Sequence, residues 1–204
     1  MILYTHPASP NCRKVDAVVK HLGLEVEVQI VDILRGATRT PEFKLINPNA
    51  KVPVLVDGDV TLWESNAIAA YLASKTESGL WPRTNARYDI MRWQSWELAH
   101  FYPPARDITA ERIIKPLRGL PTDETVCAKA EVDFRHYAGI LDAHLAEHRW
   151  LVGDGLTVAD FCVAACLTYA VPARLPLEDA PHVRAWLGAL DELPAWRASS
   201  PPPM

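Results

Sequence analysis

Hydrophobic residues in the first part of the chain form two strand-like runs separated by a helical repeat. The run over residues 1–6 predicts a strand, which Pro7 interrupts. The next apolar residues recur at i, i+3, i+4 and i+7, the spacing of one buried helical face: Val15, Val18, Val19 and Leu22. A β-branched run over residues 26–32 predicts a second strand. Because two strands joined through a helix lie parallel, the chain begins with a β-α-β unit.

The pattern continues with a short helix, a hairpin and a longer helix. Residues 41–46 predict the short helix, after a polar loop. Strand-like runs over residues 51–56 and 60–63 are joined through Asp57-Gly58, a strong hairpin turn signal. Helical spacing over residues 64–75 predicts the helix that closes this part. The predicted order is therefore βαβαββα.

Beyond a linker near residues 77–85, the pattern is helical throughout. The predicted segments are a helix over 86–101 that ends at Pro103-Pro104, a less regular stretch over 105–120, a long helix from Thr122, and shorter helices over 161–170 and 183–190. The long helix has a predicted inner face of Val126, Ala130, Phe134, Tyr137, Leu141 and Leu145. We therefore expect two domains, an α/β domain at 1–77 and an all-α domain at 86–204.

Composition narrows the classes of function. The chain has 204 residues and 49% hydrophobic residues, enough for a sizeable core. Its net charge of -4 and its lack of basic runs argue against binding to nucleic acid or an anionic membrane. No apolar run approaches the roughly 18 residues that span a bilayer, and no signal peptide pattern is present, so we expect a cytoplasmic protein. The four cysteines include no CxxC pair, which favours free thiols.

Ser9 lies where the first strand gives way to the first helix. It occupies the predicted N-cap, and Pro10 follows at the first helical position. Capping alone would explain a serine here. The same helix end carries partial positive charge, however, and favours a bound anion such as a thiolate.

Four short motifs, in order, resemble the cytosolic glutathione transferases, in particular serine-dependent classes such as theta and delta. The motifs are Ser9-x-x-Cys12-Arg13, Lys51-Val52-Pro53-Val54-Leu55, Glu64-Ser65-x-Ala67-Ile68, and Leu151-Val152-Gly153-Asp154 before Thr157-x-Ala159-Asp160-Phe161. The match covers nearly the whole length. It implies a thioredoxin-like N-terminal domain that binds glutathione, an all-α C-terminal domain that supplies most of an electrophile pocket, and a homodimer. Glutathione is then a co-substrate, and no separate cofactor is expected.

The resemblance gives Ser9 the role of the hydroxyl that hydrogen-bonds the glutathione sulfur. A donor aimed at the sulfur favours the thiolate, which is the nucleophile. A redox branch of the family has cysteine at this position, but Cys12 lies one turn further along and is expected to be a packing residue. Asn66 stands where several serine classes have Arg, Ser or Ala, so the resemblance leaves the class open.

The other motif residues resemble contacts along the rest of glutathione. Val52-Pro53 resembles the cis-proline segment whose backbone pairs with the peptide backbone of glutathione. Glu64 and Ser65 resemble the pair that holds the γ-glutamyl end, since a carboxylate suits an ammonium group and a helix N-terminus suits a carboxylate. Arg39 and Lys51 resemble cationic contacts to the glycine carboxylate, although each could be a solvated surface charge.

Aromatic residues cluster on the first helix of the second domain. By the resemblance this helix borders the electrophile site, so Trp96, His100 and Phe101 are candidate contacts, with core packing as the alternative. The segment His144-Leu145-Ala146-Glu147-His148 matches an H-x-x-E-H zinc pattern. It ends a long amphipathic helix, where cationic side chains are favoured without a metal, so we expect no metal site.

Three hypotheses for function follow. The first is a glutathione S-transferase that joins glutathione to a small hydrophobic electrophile. The second uses the same thiolate for another glutathione-dependent reaction: dehalogenation, isomerisation or peroxide reduction. The third is a non-catalytic interaction protein on the same fold. The presence of Ser9, Glu64 and Ser65 together argues against the third.

Overall fold

The computed structural model describes residues 1–202, which form two compact units. One unit consists of Met1–Pro82 and the described residues from Glu192 onward, and the other is Arg83–Asp191. The C-terminal end therefore differs from the expected division at 86–204. Its residues pack on the first unit, where the Arg13 guanidinium carbon lies 3.7 Å from the centroid of the Trp196 ring.

The helices and strands follow the predicted order, with one further helix at the end. In the first unit they are β1 (Ile2–Thr5), α1 (Pro10–Leu22), β2 (Glu27–Ile30), α2 (Pro41–Ile46), β3 (Val54–Asp57), β4 (Val60–Trp63) and α3 (Ser65–Ser74). The helical unit contains α4 (Ala86–Trp96), α5 (Tyr102–Thr109), α6 (Lys115–Leu117), α7 (Glu124–Leu145), α8 (Val158–Ala165) and α9 (Pro181–Asp191). The unpredicted helix is α10 (Pro194–Ala198), which returns to the first unit. Within residues 1–202, no helix has the length and apolar character needed to cross a membrane.

The four strands form one sheet in the order β2-β1-β3-β4. β1 and β2 are parallel, while β3 is antiparallel to both β1 and β4. Tyr4 pairs with Val54, and Val54 pairs with Trp63. Consequently the ends of β1, β2 and β4 and the start of β3 all meet at one edge of the sheet. This is the βαβαββα arrangement of a thioredoxin-like domain.

The helix predicted to end at Pro103-Pro104 continues through both prolines, so that prediction is wrong. A π-helical turn, Glu97–Phe101, precedes them, and the Tyr102 N–H reaches back five residues to the Glu97 carbonyl. Proline cannot donate to the carbonyl four residues earlier, and the wider turn accommodates that missing bond. A second π turn, Ala110–Ile114, stands before Pro116 in the same way.

The buried face of α7 also differs from the predicted one. Cys127 is completely buried, whereas Val126 is 39% exposed. The buried positions recur every three or four residues from the second turn onward: Cys127, Ala130, Phe134, Ala138, Leu141 and Leu145. Placing Val126 and Tyr137 inside was therefore wrong by one residue at each position, because Cys127 and Ala138 are buried instead.

Candidate active site

One edge of the four-stranded sheet brings the predicted glutathione-binding residues together. Ser9 follows β1, and the loop that carries Arg39 follows β2. Val52-Pro53 directly precedes β3, and Glu64-Ser65 directly follows β4. Since β1, β2 and β4 end at the edge where β3 begins, residues far apart in sequence form one candidate site.

Ser9 is the N-cap of α1, as predicted, but its side chain is only weakly engaged as a cap. The backbone is extended, with φ -93° and ψ 121°. Its Oγ accepts from the Cys12 N–H at 3.4 Å, whereas its carbonyl accepts from the same N–H at 3.0 Å. A donor-acceptor distance of 3.4 Å is long for a hydrogen bond. The half-buried hydroxyl can therefore donate its own proton to a group at the end of α1.

The segment before β3 has the geometry that the resemblance implied. The Val52-Pro53 peptide bond is cis. The β1–β3 ladder begins at Val54, so the N–H and C=O of Val52 are not committed to it. The Asn47 side chain holds this segment by donating to the Lys51 carbonyl at 2.7 Å. The backbone of Val52 is thus positioned where an extended peptide could pair with it.

The second helix end at this edge belongs to α3. Glu64 is its N-cap residue and has φ 76°, an uncommon conformation for a residue with a side chain. Its side chain makes no capping hydrogen bond to the helix. The first N–H groups of α3 are therefore available to an anion, next to the Ser65 hydroxyl.

Two hydrogen bonds join the first turns of α1 and α3. Ser65 Oγ donates to Asn11 Oδ1 at 3.2 Å, and Lys14 Nζ donates to Asn66 Oδ1 at 2.9 Å. Asn11, Lys14 and Asn66 were missed from the sequence. Asn11 and Lys14 stand three residues apart, on one face of α1, and that spacing of polar residues was the available signal.

Arg39 and Lys51 are exposed side chains at the same edge. Arg39 ends a 3-10 turn, Ala37–Arg39, which begins after Gly36 at φ 78°. In the described part of the chain neither side chain forms a salt bridge, so both positive charges remain available to a carboxylate.

Cys12 is buried, with 2% of its surface exposed, beside the Ser9 turn. Its Sγ accepts from the His6 N–H at 3.4 Å. Burial raises the pKa of the Cys12 thiol, although hydrogen bonds with Thr5 and Ser9 oppose the rise. Cys12 is therefore mostly a protonated thiol at neutral pH and a poor nucleophile.

The three predicted electrophile contacts occupy different environments in the helical unit. His100 is exposed and Trp96 is half-buried. Phe101 is completely buried, stacked between Trp96 and Phe134 with ring centroids 5.2 Å from each. Phe101 thus has the surroundings of a core residue that supports Trp96 from behind.

The first histidine of the H-x-x-E-H segment, His144, contacts a backbone carbonyl and an aromatic ring. His144 Nε2 lies 3.1 Å from the Leu151 carbonyl, and the ring packs 4.9 Å from that of Trp93. Burial, followed by the charge of His148, lowers the pKa of His144. Within residues 1–202, no group of three or more His, Cys, Asp or Glu side chains could hold a metal ion.

A thioredoxin-like unit followed by an all-helical one defines the fold class of the glutathione transferases. Residues 1–74 match the family model "Glutathione S-transferase, N-terminal domain", and residues 99–194 match "Glutathione S-transferase, C-terminal domain". The chain belongs to the glutathione S-transferase family, and it is a transferase.

Individual relatives cover nearly the whole chain. Glutathione S-transferase 3 of Zea mays is 37% identical over 201 residues, which are 96% of this chain and 90% of the maize protein. The crystal structure of glutathione transferase F7 from Populus trichocarpa has a TM-score of 0.90 at 28% identity and covers 97% of this chain and 96% of its own. The theta class enzyme of Xanthomonas axonopodis pv. citri, solved with glutathione bound, has a TM-score of 0.89 at 28% identity, with coverages of 98% and 96%.

Proposed function

We propose that this glutathione S-transferase is of the serine-dependent type and that Ser9 donates a hydrogen bond to the sulfur of bound glutathione. The observation that carries the proposal is the weakly engaged Ser9 hydroxyl at the N-terminus of α1. The hydroxyl donor and the N-terminus of α1 both stabilise negative charge on a sulfur placed beside them.

The rest of glutathione has a complementary partner at each charged group. Its γ-glutamyl carboxylate binds the N-terminus of α3 with Ser65, and its ammonium group binds Glu64. Its cysteinyl backbone pairs with Val52, ahead of Pro53. Its glycine carboxylate binds Arg39 and Lys51, whose charges have no salt-bridge partner among the described residues.

The reaction is nucleophilic attack by the thiolate. A free thiol has a pKa near 8.5, and about 1.4 kcal/mol of preferential stabilisation lowers it by one unit. The thiol proton leaves to solvent, the sulfur forms a bond to an electrophilic carbon, and the leaving group departs with the bonding electrons. We infer that the substrate is a small hydrophobic electrophile and that Trp96 and His100 contact it, with Phe101 behind Trp96.

The test is an ultraviolet titration of bound glutathione in the wild type and in Ser9→Ala. Removing the donor is expected to raise the pKa of the bound thiol by about one unit or more. Ser74→Ala, which removes a hydroxyl near the other end of α3, is the matched control and should leave that pKa unchanged. An unchanged pKa in Ser9→Ala would show that another group stabilises the thiolate.

A substrate screen distinguishes conjugation from the related reactions. Glutathione would be offered with aryl halides, alkyl halides, epoxides and hydroperoxides, followed by product analysis. Thioether products support conjugation, whereas halide release without a stable thioether, isomerised substrate or glutathione disulfide supports the alternatives. Glutathione binding with no turnover of any of these classes would contradict the proposal.

We also infer a homodimer. Val60 and Trp63 on the edge strand β4 remain 36% and 40% exposed in the single chain, which supports a partner surface there. Analytical ultracentrifugation should give twice the chain mass of 22.7 kDa. A monomer at micromolar concentration would refute this part.

A further inference from the structure

The Ser65 hydroxyl already has an acceptor within the protein. Its Oγ donates to Asn11 Oδ1 at 3.2 Å, a bond that joins the first turns of α3 and α1. Only 6% of Ser65 is exposed, so water competes little for this proton. A serine hydroxyl carries one proton, and here that proton points towards α1. Only the lone pairs of the Ser65 oxygen are then left for a ligand at the N-terminus of α3.

A carboxylate at this helix end conflicts with that arrangement. An ionised carboxylate only accepts hydrogen bonds, so it would face the lone pairs of Ser65 Oγ without a bond. The hydroxyl can donate to the carboxylate if it rotates away from Asn11. That rotation leaves Ser65 Oγ and Asn11 Oδ1, two acceptors, facing each other at hydrogen-bond distance, which is unfavourable for buried polar atoms.

The side-chain amide of Asn11 resolves this conflict, because it carries an acceptor and a donor of similar size. Turning the amide over places Nδ2 where Oδ1 was, and Nδ2 then donates to Ser65 Oγ. Among the described residues, Asn11 Oδ1 bonds only to Ser65 and Nδ2 bonds to none, so this rotation breaks no further hydrogen bond. The backbones of α1 and α3 keep their positions.

We propose that Asn11 is a positioning residue that changes from acceptor to donor when a carboxylate binds at α3. The inference rests on the proposed function, since the carboxylate is that of the γ-glutamyl end. In the bound state the Asn11 amide donates to Ser65 Oγ, and the Ser65 hydroxyl donates to the carboxylate. Hydrogen bonds that run in one direction strengthen each other. Asn11 does not touch the peptide; it acts through Ser65.

The first experiment is a binding cycle with Asn11→Asp, since an aspartate accepts the Ser65 proton but cannot donate in return. The ligands are S-methylglutathione, in which no thiol can ionise, and its analogue with γ-aminobutyrate in place of the γ-glutamyl residue, which lacks the carboxylate. Calorimetry measures both in the wild type, in Asn11→Asp, in Ser65→Ala and in the double variant. Asn85→Asp, at an exposed asparagine of the helical unit, is the matched control for the added charge.

The Kd for S-methylglutathione is expected to rise about tenfold or more in Asn11→Asp, and the Kd for the analogue to change less than about twofold. Asn85→Asp should leave both values unchanged. Charge repulsion by an aspartate would persist without the Ser65 hydroxyl, whereas competition for its proton would not. Adding Asn11→Asp to Ser65→Ala should therefore raise the Kd by less than about threefold. An equal loss with and without the Ser65 hydroxyl would overturn the inference.

The second experiment observes the amide directly, by NMR of the side-chain NH2 groups in the wild type labelled with ¹⁵N. The Asn11 signals are the pair that Asn11→Leu removes. S-Methylglutathione should shift one Asn11 NH2 proton downfield and slow its exchange with water, because that proton gains the Ser65 oxygen as acceptor. The analogue should leave both protons unchanged. Equal responses to the two ligands, or no response to either, would contradict a change from acceptor to donor.

Urea denaturation checks that Asn11→Asp is folded, which is expected because an aspartate is favoured in the first turn of a helix. If that variant does not fold, the NMR measurement on the wild type decides. The two proposals fail differently. If the wild type does not bind S-methylglutathione, the proposed function fails. If it binds S-methylglutathione more tightly than the analogue but the Asn11 amide responds equally to both, only the role of Asn11 fails.

Discussion

The N-termini of α1 and α8 both begin with a capping hydroxyl, yet they differ in how completely the cap is used. At α8, Thr157 and Asp160 form a reciprocal capping box, and Asp160 Oδ2 accepts from the Thr157 N–H at 2.9 Å. Asp160 Oδ1 also accepts from the Leu151 N–H at 3.0 Å and from Trp186 Nε1 at 3.1 Å. Thr157 is 4% exposed and Asp160 is 0% exposed.

At α1, by contrast, the capping bond to the Ser9 side chain is long, and Ser9 remains half-buried. The fourth residue of the motif is Cys12, which supplies no carboxylate to complete a box. A capping network whose members are all engaged stabilises the fold and has no capacity for a ligand. An incomplete cap leaves a donor and a helix dipole available, which is what a thiolate requires.

The largest expected effect on stability is at Asp160, in the capping box of α8. Asp160→Ala removes the acceptor of four buried donors, including the Thr157 hydroxyl, and should lower the free energy of unfolding by about 3 kcal/mol or more. Asp160→Asn, which keeps one acceptor oxygen, should cost less. Urea denaturation measures both, with the exposed Asp154→Ala as control, expected within about 0.5 kcal/mol of the wild type. A loss at Asp160 no larger than that control would remove the distinction between the two helix ends.

The next largest effect on stability is expected from removing the capping hydroxyls of Thr157 and Ser9. Thr157→Ala should cost about 1–2 kcal/mol of stability, and Ser9→Ala less than about 0.5 kcal/mol, because the Ser9 bond is long and partly solvated. Both variants are measured by urea denaturation under the same conditions. If Ser9→Ala proves as destabilising as Thr157→Ala, then Ser9 is a structural cap first, and its effect on the glutathione thiol must be corrected for unfolded protein.

The strand-and-helix order of the first unit could be predicted from the sequence because period and turn chemistry agree there. The Asp57-Gly58 signal placed the hairpin, and β4 occurs at the predicted residues. The effect of prolines on the helices of the second unit was harder to predict. Pro103-Pro104 normally ends a helix, and only the π turn at Glu97–Phe101, set by packing in three dimensions, allows the helix to continue.

The candidate site also contains both residues that could be predicted from the sequence and residues that could not. Ser9, Val52-Pro53 and Glu64-Ser65 could be identified because each lies in a motif with its own chemistry. Lys14 and Asn66 could not, because their pairing joins residues 52 positions apart through the packing of α1 on α3. A lysine beside a predicted buried face is ordinarily exposed, so its burial depended on a contact that periodicity does not encode.

A smaller effect is expected at a third type of cap. The N-terminus of α9 is capped from α7, where Asp142 Oδ1 accepts from the His182 N–H at 2.7 Å and from the Val183 N–H at 2.9 Å. Burial opposes ionisation, but these bonds and the His182 side chain lower the pKa of Asp142 below its ordinary value. A carboxyl with a lowered pKa stabilises the fold above its unfolded-state pKa, and this stability is lost as pH falls through the folded-state value.

Asp142→Asn should therefore cost about 1 kcal/mol near pH 7 and make stability less dependent on pH between about pH 5 and 2. The exposed Asp133→Asn on the same helix is the control and should leave the pH profile unchanged. Unfolding free energies measured across this pH range provide the comparison. An Asp142→Asn profile as steep as that of the wild type would show that the cap does not depend on the charge.

The smallest effect is expected at Cys12, the cysteine one helical turn after Ser9. Cys12 is buried and its pKa is raised, so it contributes little thiolate at neutral pH, and its bond from the His6 N–H is weak. Cys12→Ala should keep kcat/KM for glutathione conjugation within about threefold of the wild type and leave the pKa of bound glutathione unchanged. The Ser9→Ala titration, run in parallel, provides the contrast. A Cys12→Ala variant that raised the pKa of bound glutathione as much as Ser9→Ala would mean that the first turn of α1 acts on the thiolate as a unit.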